Sequence, residues 1–503
     1  MAGNKKVIRR KNRKRTSVFS VLVLLVLLAL SAGMAVCMVK TELIPKEYII
    51  AATAGTAVLS VCVFLLIRTG GFKPKTAVGI ITAILLAVVI IYICVFCLQT
   101  LGYLKNLTSI ASERSLIGIY VDNDDTAQSP SDLKDYDIGI LCELDRDNTD
   151  KAIIKFEEEL AFELNIIEYD NMPDLLEGFK NNVVGAILIN EAYIDMIEEM
   201  EGYEYIASSV RELGYVVVET PREETDGSEL IKTENNGYIF TVYISGIDTR
   251  SSDLLARSRS DVNLFATINT DTRQILLIST PRDYFIPLSI SRGQKDKLTH
   301  AGLYGVQVSM DTLKMLYDTE IEYYFRCNFV GFADIIDVLG GITVYSPKDF
   351  VSHHGAYQFY EGYNECDGDK ALCFARERYA FSDGDVQRQK DCQEVFRAVF
   401  EKVMSPEMLS SYSALLETIE PYFETSVPYD VIADIVRHQI LTGGDWEIIS
   451  YTVNGSGSFQ KPWSMSMTVW VMKPDYETVE VAKDLLQRIR NNEVITQPVE
   501  DGE

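Results

Sequence analysis

Three uncharged apolar runs near the N-terminus constrain this chain more than any other feature. They cover Ser17 to Val39, Tyr48 to Ile67 and Thr76 to Leu98. Each has about 20 residues, which is the length that an apolar α-helix needs to cross a hydrocarbon core of roughly 30 Å. The runs therefore predict three transmembrane helices within residues 17–98, followed by a large part of the chain that folds outside the bilayer.

The charges that flank these runs predict the orientation. The tail of residues 1–16 carries eight lysines and arginines and no acid, and Arg68, Lys73 and Lys75 follow the second run. Positive flanks remain in the cytoplasm. We therefore expect a multi-pass membrane protein with a cytoplasmic N-terminus and extracellular C-terminal domains. The first run is too long for a cleaved signal peptide, and a basic tail beside a span is more often a topology signal than a nucleic-acid arm.

Residues beyond the spans divide into two predicted domains. Segment 115–219 alternates apolar strands with amphipathic helices and predicts a smaller α/β accessory domain. Residues 220–236 are predicted to be a linker, and residues 237–490 a second domain with a mixed central sheet sandwiched by helices. Residues 491–503 are predicted to be a disordered tail.

The nine cysteines give weaker indications. Cys94 and Cys97 form a C-x-x-C pattern, but inside a predicted lipid-facing helix we interpret it as packing. Cys366 and Cys373 could form an extracellular disulfide or remain free thiols. The four histidines are too dispersed to predict a zinc site.

Acidic and basic residues recur together in the second domain, although the formal net charge of the chain is −26. Arginines gathered by folding would repel one another unless an anion lay between them. Guanidinium groups bind phosphate oxygens through paired hydrogen bonds, and nearby carboxylates can hold a hard cation such as Mg²⁺. The pattern predicts a phosphoryl site with metal and arginine groups, built from Asp248, Arg259, Asp261, Arg282, Asp283, Arg376, Arg378, Asp385 and Arg388.

The same residues carry a family resemblance over about Tyr238 to Phe400. The ordered motifs are ISGIDTR (244–250), SRSDVNLFATINTDTRQILLISTPRD (258–283), KLTHAGLYG (297–305), NFVGFADIIDVLGGITV (328–344) and ALCFARERYAFSDGDVQR (371–388). They resemble the LytR-CpsA-Psr (LCP) family, in a CpsA-like arrangement with three N-terminal spans and an accessory domain. The resemblance implies an LCP catalytic domain that transfers a glycopolymer, of the teichoic acid or capsular polysaccharide type, from a polyprenyl-pyrophosphate carrier to peptidoglycan with Mg²⁺, or alternatively Mn²⁺.

The resemblance and the residue chemistry together assign roles. Asp248 and Asp261 are the predicted metal ligands, although strand-end capping or pairing with an arginine is the alternative. Predicted catalytic residues are Asp248, Asp261, Arg282, Arg376 and Arg378. Predicted pyrophosphate-binding residues are Arg259, Arg282, Arg376, Arg378, Arg388, Lys297 and Gln393, with Lys297 carried mainly by the resemblance.

One position departs from the family pattern. Where the resemblance implies a glutamine facing the phosphate, this chain has Cys392, with Gln393 next to it. Either Gln393 replaces that contact or the contact is lost, since a thiol is a poor donor to phosphate. Asp283 or Asp385 could guide the acceptor hydroxyl. Apolar residues that could line a lipid tunnel, or simply form core, are Phe325, Phe329, Phe332, Ile335 and Leu339.

Competing functions stay open at this level. One is hydrolysis of the carrier pyrophosphate without transfer, and another is a non-enzymatic sensor of the lipid carrier or a scaffold. In the scaffold hypothesis, the accessory domain recruits envelope biosynthesis proteins. A nucleic-acid partner is disfavoured because the globular part is acidic and is predicted to face away from DNA.

Overall fold

The computed structural model describes residues 2–68, 74–107, 112–221, 231–233, 237–247, 257–382, 384–405 and 423–496. The chain forms two compact units. The first contains Met1–Ser109, Ser410–Glu417 and Val427–Asp445, and the second contains Ile110–Leu409, Thr418–Ser426 and Trp446–Glu503. Asp248 lies outside the described residues.

Long apolar helices make up most of the first unit. They are α1 (Ala2–Lys40), α2 (Lys46–Arg68) and α3 (Pro74–Leu107). Their segments Val18–Lys40, Lys46–Arg68 and Pro74–Lys105 are long and apolar enough to cross a membrane. The helices pack on one another through a thin buried seam that includes Met34 and Ile90, while apolar side chains such as Leu25 point outward. Such exposure is what a lipid-facing surface requires.

The smaller sheet lies at the start of the second unit. Within the described chain it has five strands in the order β3-β2-β4-β1-β5, with β2 parallel to β3 and β4 and with β1 antiparallel to β4 and β5. Its elements are β1 (Ser112–Asp122), β2 (Asp137–Leu141), α4 (Arg146–Leu160), β3 (Asn165–Tyr169), α5 (Met172–Lys180), β4 (Ala186–Asn190), α6 (Ala192–Ile197), α7 (Glu204–Ser209) and β5 (Val210–Pro221). The α/β alternation predicted from the sequence is confirmed.

A larger mixed sheet follows. In the part of the chain that the structure describes, its order is β17-β12-β7-β8-β9-β18, with β6 paired to β7. Strand β7 runs parallel to β12, and β9 runs parallel to β18, whereas β7, β8 and β9 alternate in direction. The strands are β6 (Ile231–Lys232), β7 (Tyr238–Ile247), β8 (Ser260–Asn269), β9 (Gln274–Ser279), β12 (Tyr323–Asn328), β17 (Phe423–Thr425) and β18 (Glu447–Thr452).

Helices and short hairpins complete this part of the unit. The helices are α8 (Val306–Tyr317), α9 (Phe329–Val338), α10 (Gly368–Ala375), α11 (Asp385–Val403) and α13 (Tyr476–Arg490), while α12 (Tyr429–Thr442) belongs to the first unit. The remaining strands are β10 (Phe285–Pro287), β11 (Lys295–Lys297), β13 (Ile342–Ser346), β14 (Phe350–Val351), β15 (Gln358–Phe359), β16 (Gly362–Cys366), β19 (Gly455–Gln460) and β20 (Val469–Pro474).

Different helices pack on the two faces of the large sheet. Tyr243, Phe265 and Leu276 point to one face, where they share a buried core with residues of α8 and α13. Side chains alternate along a strand, so Ile244 and Leu264 point to the other face, toward α9, α10 and α11. The predicted mixed sheet between helical layers is confirmed.

Two expectations need adjustment. The chain continues in an ordered path past residue 491, because Ile495 is buried and its N–H donates to Gln274 Oε1 at 3.0 Å; the remaining tail, residues 497–503, lies outside the described residues. In the predicted linker, β5 extends to Pro221 and Ile231–Lys232 pairs with β7. Of the two alternatives left open for Cys366 and Cys373, the structure has free thiols.

Candidate anion-binding site

Strand direction brings the predicted site residues to one edge of the large sheet. Strand β7 ends at Ile247, which pairs with Asn328 at the end of β12 and with Ser260 at the start of β8. The end of β9, Ser279, pairs with Leu264 of β8. The segments that precede β8 and follow β9 therefore meet at this edge. They carry Arg259 and Arg282, and Asp261 lies at the start of β8.

Arg282 and Asp261 form the buried centre of the site. Arg282 Nη1 donates to Asp261 Oδ1 at 2.8 Å, and Thr299 Oγ1 lies 3.5 Å from the same oxygen. Burial alone would raise the pKa of Asp261, but Arg282, Arg259 and Arg388 outweigh it and lower that pKa. Arg282 correspondingly has a raised pKa, since its acidic neighbours outweigh its burial. Both groups are ionised at physiological pH.

Lys297 reaches the same centre from the KLTHAGLYG segment. Its Nζ lies 3.2 Å from Asp283 Oδ1, and the backbone N–H of Thr299 donates to the carbonyl of Arg282 at 2.8 Å. The close approach depends on Gly302, because a Cβ built there would lie 2.5 Å from the carbonyl oxygen of Ser258. A glycine at this position lets the 3-10 helix Leu298–Tyr304 pass directly over the backbone that carries Arg259.

Asp385 at the N-terminus of α11 pairs with two further arginines, Arg388 of α11 and Arg378 of the loop after α10. Arg388 Nε donates to Asp385 Oδ1 at 2.9 Å, and its Nη2 donates to the carbonyl of Asp261 at 3.1 Å. Arg378 Nε lies 3.4 Å from the same Asp385 oxygen. One carboxylate in the first turn of α11 therefore pairs with two guanidinium groups. The bond from Arg388 to the carbonyl of Asp261 joins α11 to β8. Asp283 and Asp385, the two predicted guides of the acceptor, both take part in ion pairs with these cations.

Arg376 is an exposed residue that lines an apolar pocket. Its guanidinium carbon lies 4.9 Å from the centre of the Phe329 ring. The pocket, between the sheet and α9 to α11, encloses about 590 Å³ of empty space, part of it open to solvent. Residues lining it are Ile244, Gly246, Val262, Leu264, Cys327, Phe329, Phe332, Leu372, Ala375, Arg376, Arg388, Cys392, Val395 and Phe396. Of the predicted tunnel residues, Phe329 and Phe332 line this pocket, whereas Phe325 stacks on Phe423 at 4.1 Å, and Ile335 and Leu339 are buried.

Glu377 was missed by the sequence reasoning. It is buried between two arginines of the site, and its carboxylate accepts the backbone N–H groups of Arg378, Tyr379, Ala380 and His353. Burial would raise its pKa, but these hydrogen bonds dominate and lower it. An acid between two arginines in a phosphate site suggests repulsion of the ligand, yet here it fixes the loop that presents Arg376 and Arg378.

The geometry of α11 shows whether Gln393 can take the place of the glutamine that the resemblance implies at position 392. Cys392 lines the pocket, where burial raises the pKa of its thiol to about 11. Gln393 lies one residue, about 100° of helix rotation, further round. Its Nε2 donates to the carbonyl of Tyr451 at 2.9 Å, and its Oε1 accepts from Thr452 Oγ1 at 3.1 Å. The structure therefore does not bring Gln393 to the arginines, and the expectation that it replaces the family glutamine is corrected.

Glu199 is the second residue that sequence reasoning missed. It follows α6, far from the family motifs, and its Oε1 accepts from Arg259 Nη1 at 2.5 Å while its Oε2 accepts from Lys297 Nζ at 2.6 Å. Burial would raise its pKa, but Lys297 and Arg259 lower it to about 2. The sequence around it, an acidic surface-like stretch from Glu198 to Glu201, gave no signal.

Cations and acids converge at this edge. Among the described residues there are six cations, four acids in direct ion pairs to them, and a fifth acid, Glu377, that accepts backbone hydrogen bonds. We call the cations and the acids paired to them the cationic cluster: Arg259, Arg282, Lys297, Arg376, Arg378 and Arg388, with Glu199, Asp261, Asp283 and Asp385. Burial, together with repulsion from Arg388 and Arg282, lowers the pKa of Arg378. An anion placed beside Arg378 would relieve that repulsion, so the arrangement is suited to bind phosphate.

A family comparison matches this part of the chain. The model of the LytR_cpsA_psr family covers residues 214–486, which is more than half of the 503 residues. This chain belongs to the LytR_cpsA_psr family. The matched LytR_cpsA_psr region contains the whole cationic cluster except Glu199.

Curated relatives carry the name "Polyisoprenyl-teichoic acid--peptidoglycan teichoic acid transferase TagU". The TagU of Enterococcus faecalis is 32% identical over 197 residues, which are 39% of this chain and 64% of the relative. The TagU of Bacillus subtilis is 29% identical over 197 residues, which are 39% of this chain and 62% of the relative. The chain thus spans slightly less than two thirds of the length of these LytR_cpsA_psr relatives.

Solved structures also match in part. Protein gbs0355 from Streptococcus agalactiae aligns with a TM-score of 0.43 and 23% identity, over 52% of this chain and 91% of that protein. B. subtilis TagV aligns with a TM-score of 0.42 and 22% identity, over 51% of this chain and 98% of TagV. A structure described as TagT bound to LI-WTA aligns with a TM-score of 0.41 and 24% identity, over 52% and 96% of the two chains.

Proposed function

We propose that this protein is a membrane-anchored, extracytoplasmic phosphotransferase that moves a glycopolymer from a polyprenyl-pyrophosphate carrier to peptidoglycan. The observation that carries the proposal is the junction of an apolar pocket with the cationic cluster, since the exposed Arg376 and the buried Arg388 both line the pocket. A ligand with an isoprenoid tail and a phosphate head matches this arrangement, because it is apolar at one end and anionic at the other. The printed activity of the TagU relatives supports this choice of donor and acceptor.

The chemistry requires charge stabilisation more than bond-making groups. An acceptor sugar hydroxyl attacks the phosphorus that bears the glycan, a new P–O bond forms, and the P–O bond to the polyprenyl phosphate breaks. The hydroxyl proton passes to a base, and the polyprenyl phosphate leaves as an anion. Arg282, Arg376 and Arg378 would stabilise the charge on the transferring and leaving phosphates. Arg259, Lys297 and Arg388 would bind the pyrophosphate beside them.

Asp261 offers one carboxylate to a divalent cation, although the described residues contain no group of three or more acidic, histidine or cysteine side chains arranged to hold a metal ion. Asp261 is a buried carboxylate that its cationic neighbours hold ionised, and carboxylate oxygens are the ligands that Mg²⁺ prefers. We propose that Asp261 and Asp248 would hold Mg²⁺, or Mn²⁺ in its place. The ion would supply additional neutralisation of phosphate charge.

Transfer by the purified full chain in detergent tests the proposal. With Mg²⁺, a polyprenyl-pyrophosphate glycan and peptidoglycan, we expect a covalent phosphodiester product. Arg376→Ala should lower the rate by about a hundredfold or more, because a preorganised charge at the transferring phosphate is lost. Arg488→Ala, at an exposed ion pair on α13, is the matched control and should keep the wild-type rate. Product formed by Arg376→Ala at the wild-type rate would remove this arginine from the mechanism.

The same assay tests two alternative functions. If phosphate is released from the carrier equally fast without peptidoglycan, and no product forms with it, the protein is a carrier hydrolase. Cys392 at the pocket wall, where a thiol replaces an amide donor, favours the other alternative, a sensor or scaffold that binds the lipid carrier without reaction. Binding of the carrier without turnover, together with cellular function that survives metal removal, would support it.

A further inference from the structure

Glu199 belongs to a part of the chain that precedes the family-matched region. It lies in the turn after α6, between Ile197 and Met200, and both of these side chains are fully buried. They share a hydrophobic cluster with Leu303, which follows the KLTHAG motif, and with Met465. This packing fixes the backbone on both sides of Glu199 against the sheet edge that carries the cationic cluster.

The Glu199 side chain bridges two cations that are almost completely buried. Lys297 and Arg259 are 5% and 9% exposed, and each pairs with a different oxygen of the carboxylate. A third cation, Arg282, has its Nη2 4.0 Å from Oε1. Three cations this close repel one another, and the flexible lysine has several rotamers open to it. The bridging carboxylate offsets the repulsion and fixes the spacing of the two nitrogens.

The geometry points to Glu199 as a positioning residue of the phosphate site, supplied by the accessory domain, that holds Lys297 and Arg259 ready for the phosphate distal to the lipid. This inference rests on the proposed function. Arg376 and Arg388 line the apolar pocket and would bind the phosphate next to the isoprenoid. Arg388 and Arg282 both bond to Asp261, and Arg282 shares Glu199 with Lys297 and Arg259, so these three cations would bind the second phosphate. Phosphoryl-transfer enzymes use this device elsewhere: in protein kinases a glutamate pairs with the lysine that contacts the phosphates.

The test compares two probes, geranyl pyrophosphate and geranyl monophosphate, by calorimetric titration of the full chain in detergent with Mg²⁺. Wild type should prefer the pyrophosphate. Glu199→Gln keeps the size of the side chain and removes its charge, so the pyrophosphate should bind about tenfold more weakly while the monophosphate binds as before. The preference ratio therefore falls about tenfold. A merely structural defect would weaken both probes alike and leave the ratio unchanged.

Glu201→Gln changes the same charge at an exposed position two residues away and should leave the ratio at the wild-type value. If Glu199→Gln does not fold, Glu199→Asp serves instead, since a side chain one methylene shorter cannot reach both cations, and its ratio should fall about threefold. An unchanged ratio in the folded variant overturns the inference, and so does tighter pyrophosphate binding, which would show that the carboxylate competes with phosphate. If wild type binds neither probe, the proposed function fails instead.

Discussion

At the scale of single residues, buried acids in this protein divide according to their neighbours. Glu199 and Asp261 face cations, which lower their pKa values, whereas Asp391 on α11 faces Glu377 and Glu394. Burial, with some repulsion from these two acids, raises the pKa of Asp391 to about 8, although Gln387 and Lys390 oppose the shift. Its Oδ1 accepts a hydrogen bond from Gln387 at 2.8 Å, and its Oδ2 is buried without a partner. Asp391 is therefore held largely uncharged near neutral pH.

The raised pKa of Asp391 gives a pH-dependent prediction. A group with a raised folded-state pKa contributes stability that is fully present below its unfolded pKa, near 4, and that is lost as pH rises through about 8. Asp391→Asn keeps the acceptor for Gln387 and cannot ionise. At pH 9 we expect its melting temperature to exceed that of wild type by about 2 to 4 °C, with little difference at pH 5. Calorimetric scans across this range measure it, and a parallel decline of the two proteins would contradict it.

Cys392 and Gln393 show how two neighbouring residues of one helix meet different surroundings. Cys392 Sγ lies 3.2 Å from the carbonyl of Ala375 and lines the pocket, while the adjacent Gln393 joins α11 to β9 and β18. One side chain therefore faces the pocket, and the other holds the helix to the sheet.

At the scale of elements, the loop from Arg376 to Ala380 is ordered by one side chain. Glu377→Gln places an amide N–H₂ where the backbone N–H of His353 now donates, 2.6 Å from Glu377 Oε2. We expect this clash of donors to loosen the loop and to weaken geranyl pyrophosphate binding about tenfold, since Arg376 and Arg378 lose their fixed positions. Titration calorimetry on the full chain provides the measurement.

Glu361→Gln is the matched control for that loop, because Glu361 is an exposed acid on the β15–β16 turn. Its affinity for the pyrophosphate should equal that of wild type. Equal affinities of Glu377→Gln and wild type would show that the arginines do not need the loop to be held in this way.

At the scale of the whole molecule, the flanking charges predict one membrane topology. In that prediction the α1–α2 connection lies on the extracellular side. In the first unit, Arg437 of α12 donates from Nε to the carbonyl of Glu42 in that connection at 2.8 Å. Helix α12 comes from the C-terminal half of the chain, which the topology also places outside. We therefore propose that both globular domains are extracellular.

Cysteine labelling in intact cells tests this topology. Glu361→Cys should react with a membrane-impermeant maleimide, whereas Asn4→Cys in the basic tail should react only after lysis, each compared with the wild-type background. The reverse pattern would invert the topology and would leave the proposed substrates on the wrong side of the membrane.

The sequence by itself determined which segments are apolar helices and strands, because those depend on local periodicity and length. The three apolar helices and the α/β alternation of segment 115–219 were predicted in this way. The resemblance, with chemistry, also indicated most of the cationic cluster. Long-range partners were not predictable, since nothing local in the sequence marks a contact between residues 60 or 98 positions apart. Glu199 meets Arg259 and Lys297 in this way, and Glu377 bonds to His353 across a loop.

Tertiary structure alone decided how the arginines are used. The sequence gives only their order along the chain. Strand direction and register bring Arg259, Asp261 and Arg282 to one edge of the sheet. The rotation of α11 turns Cys392 toward the pocket and Gln393 away from it. The physical reason is that charge interactions depend on distance and burial in space, which are fixed only when the sheet and its helices have packed.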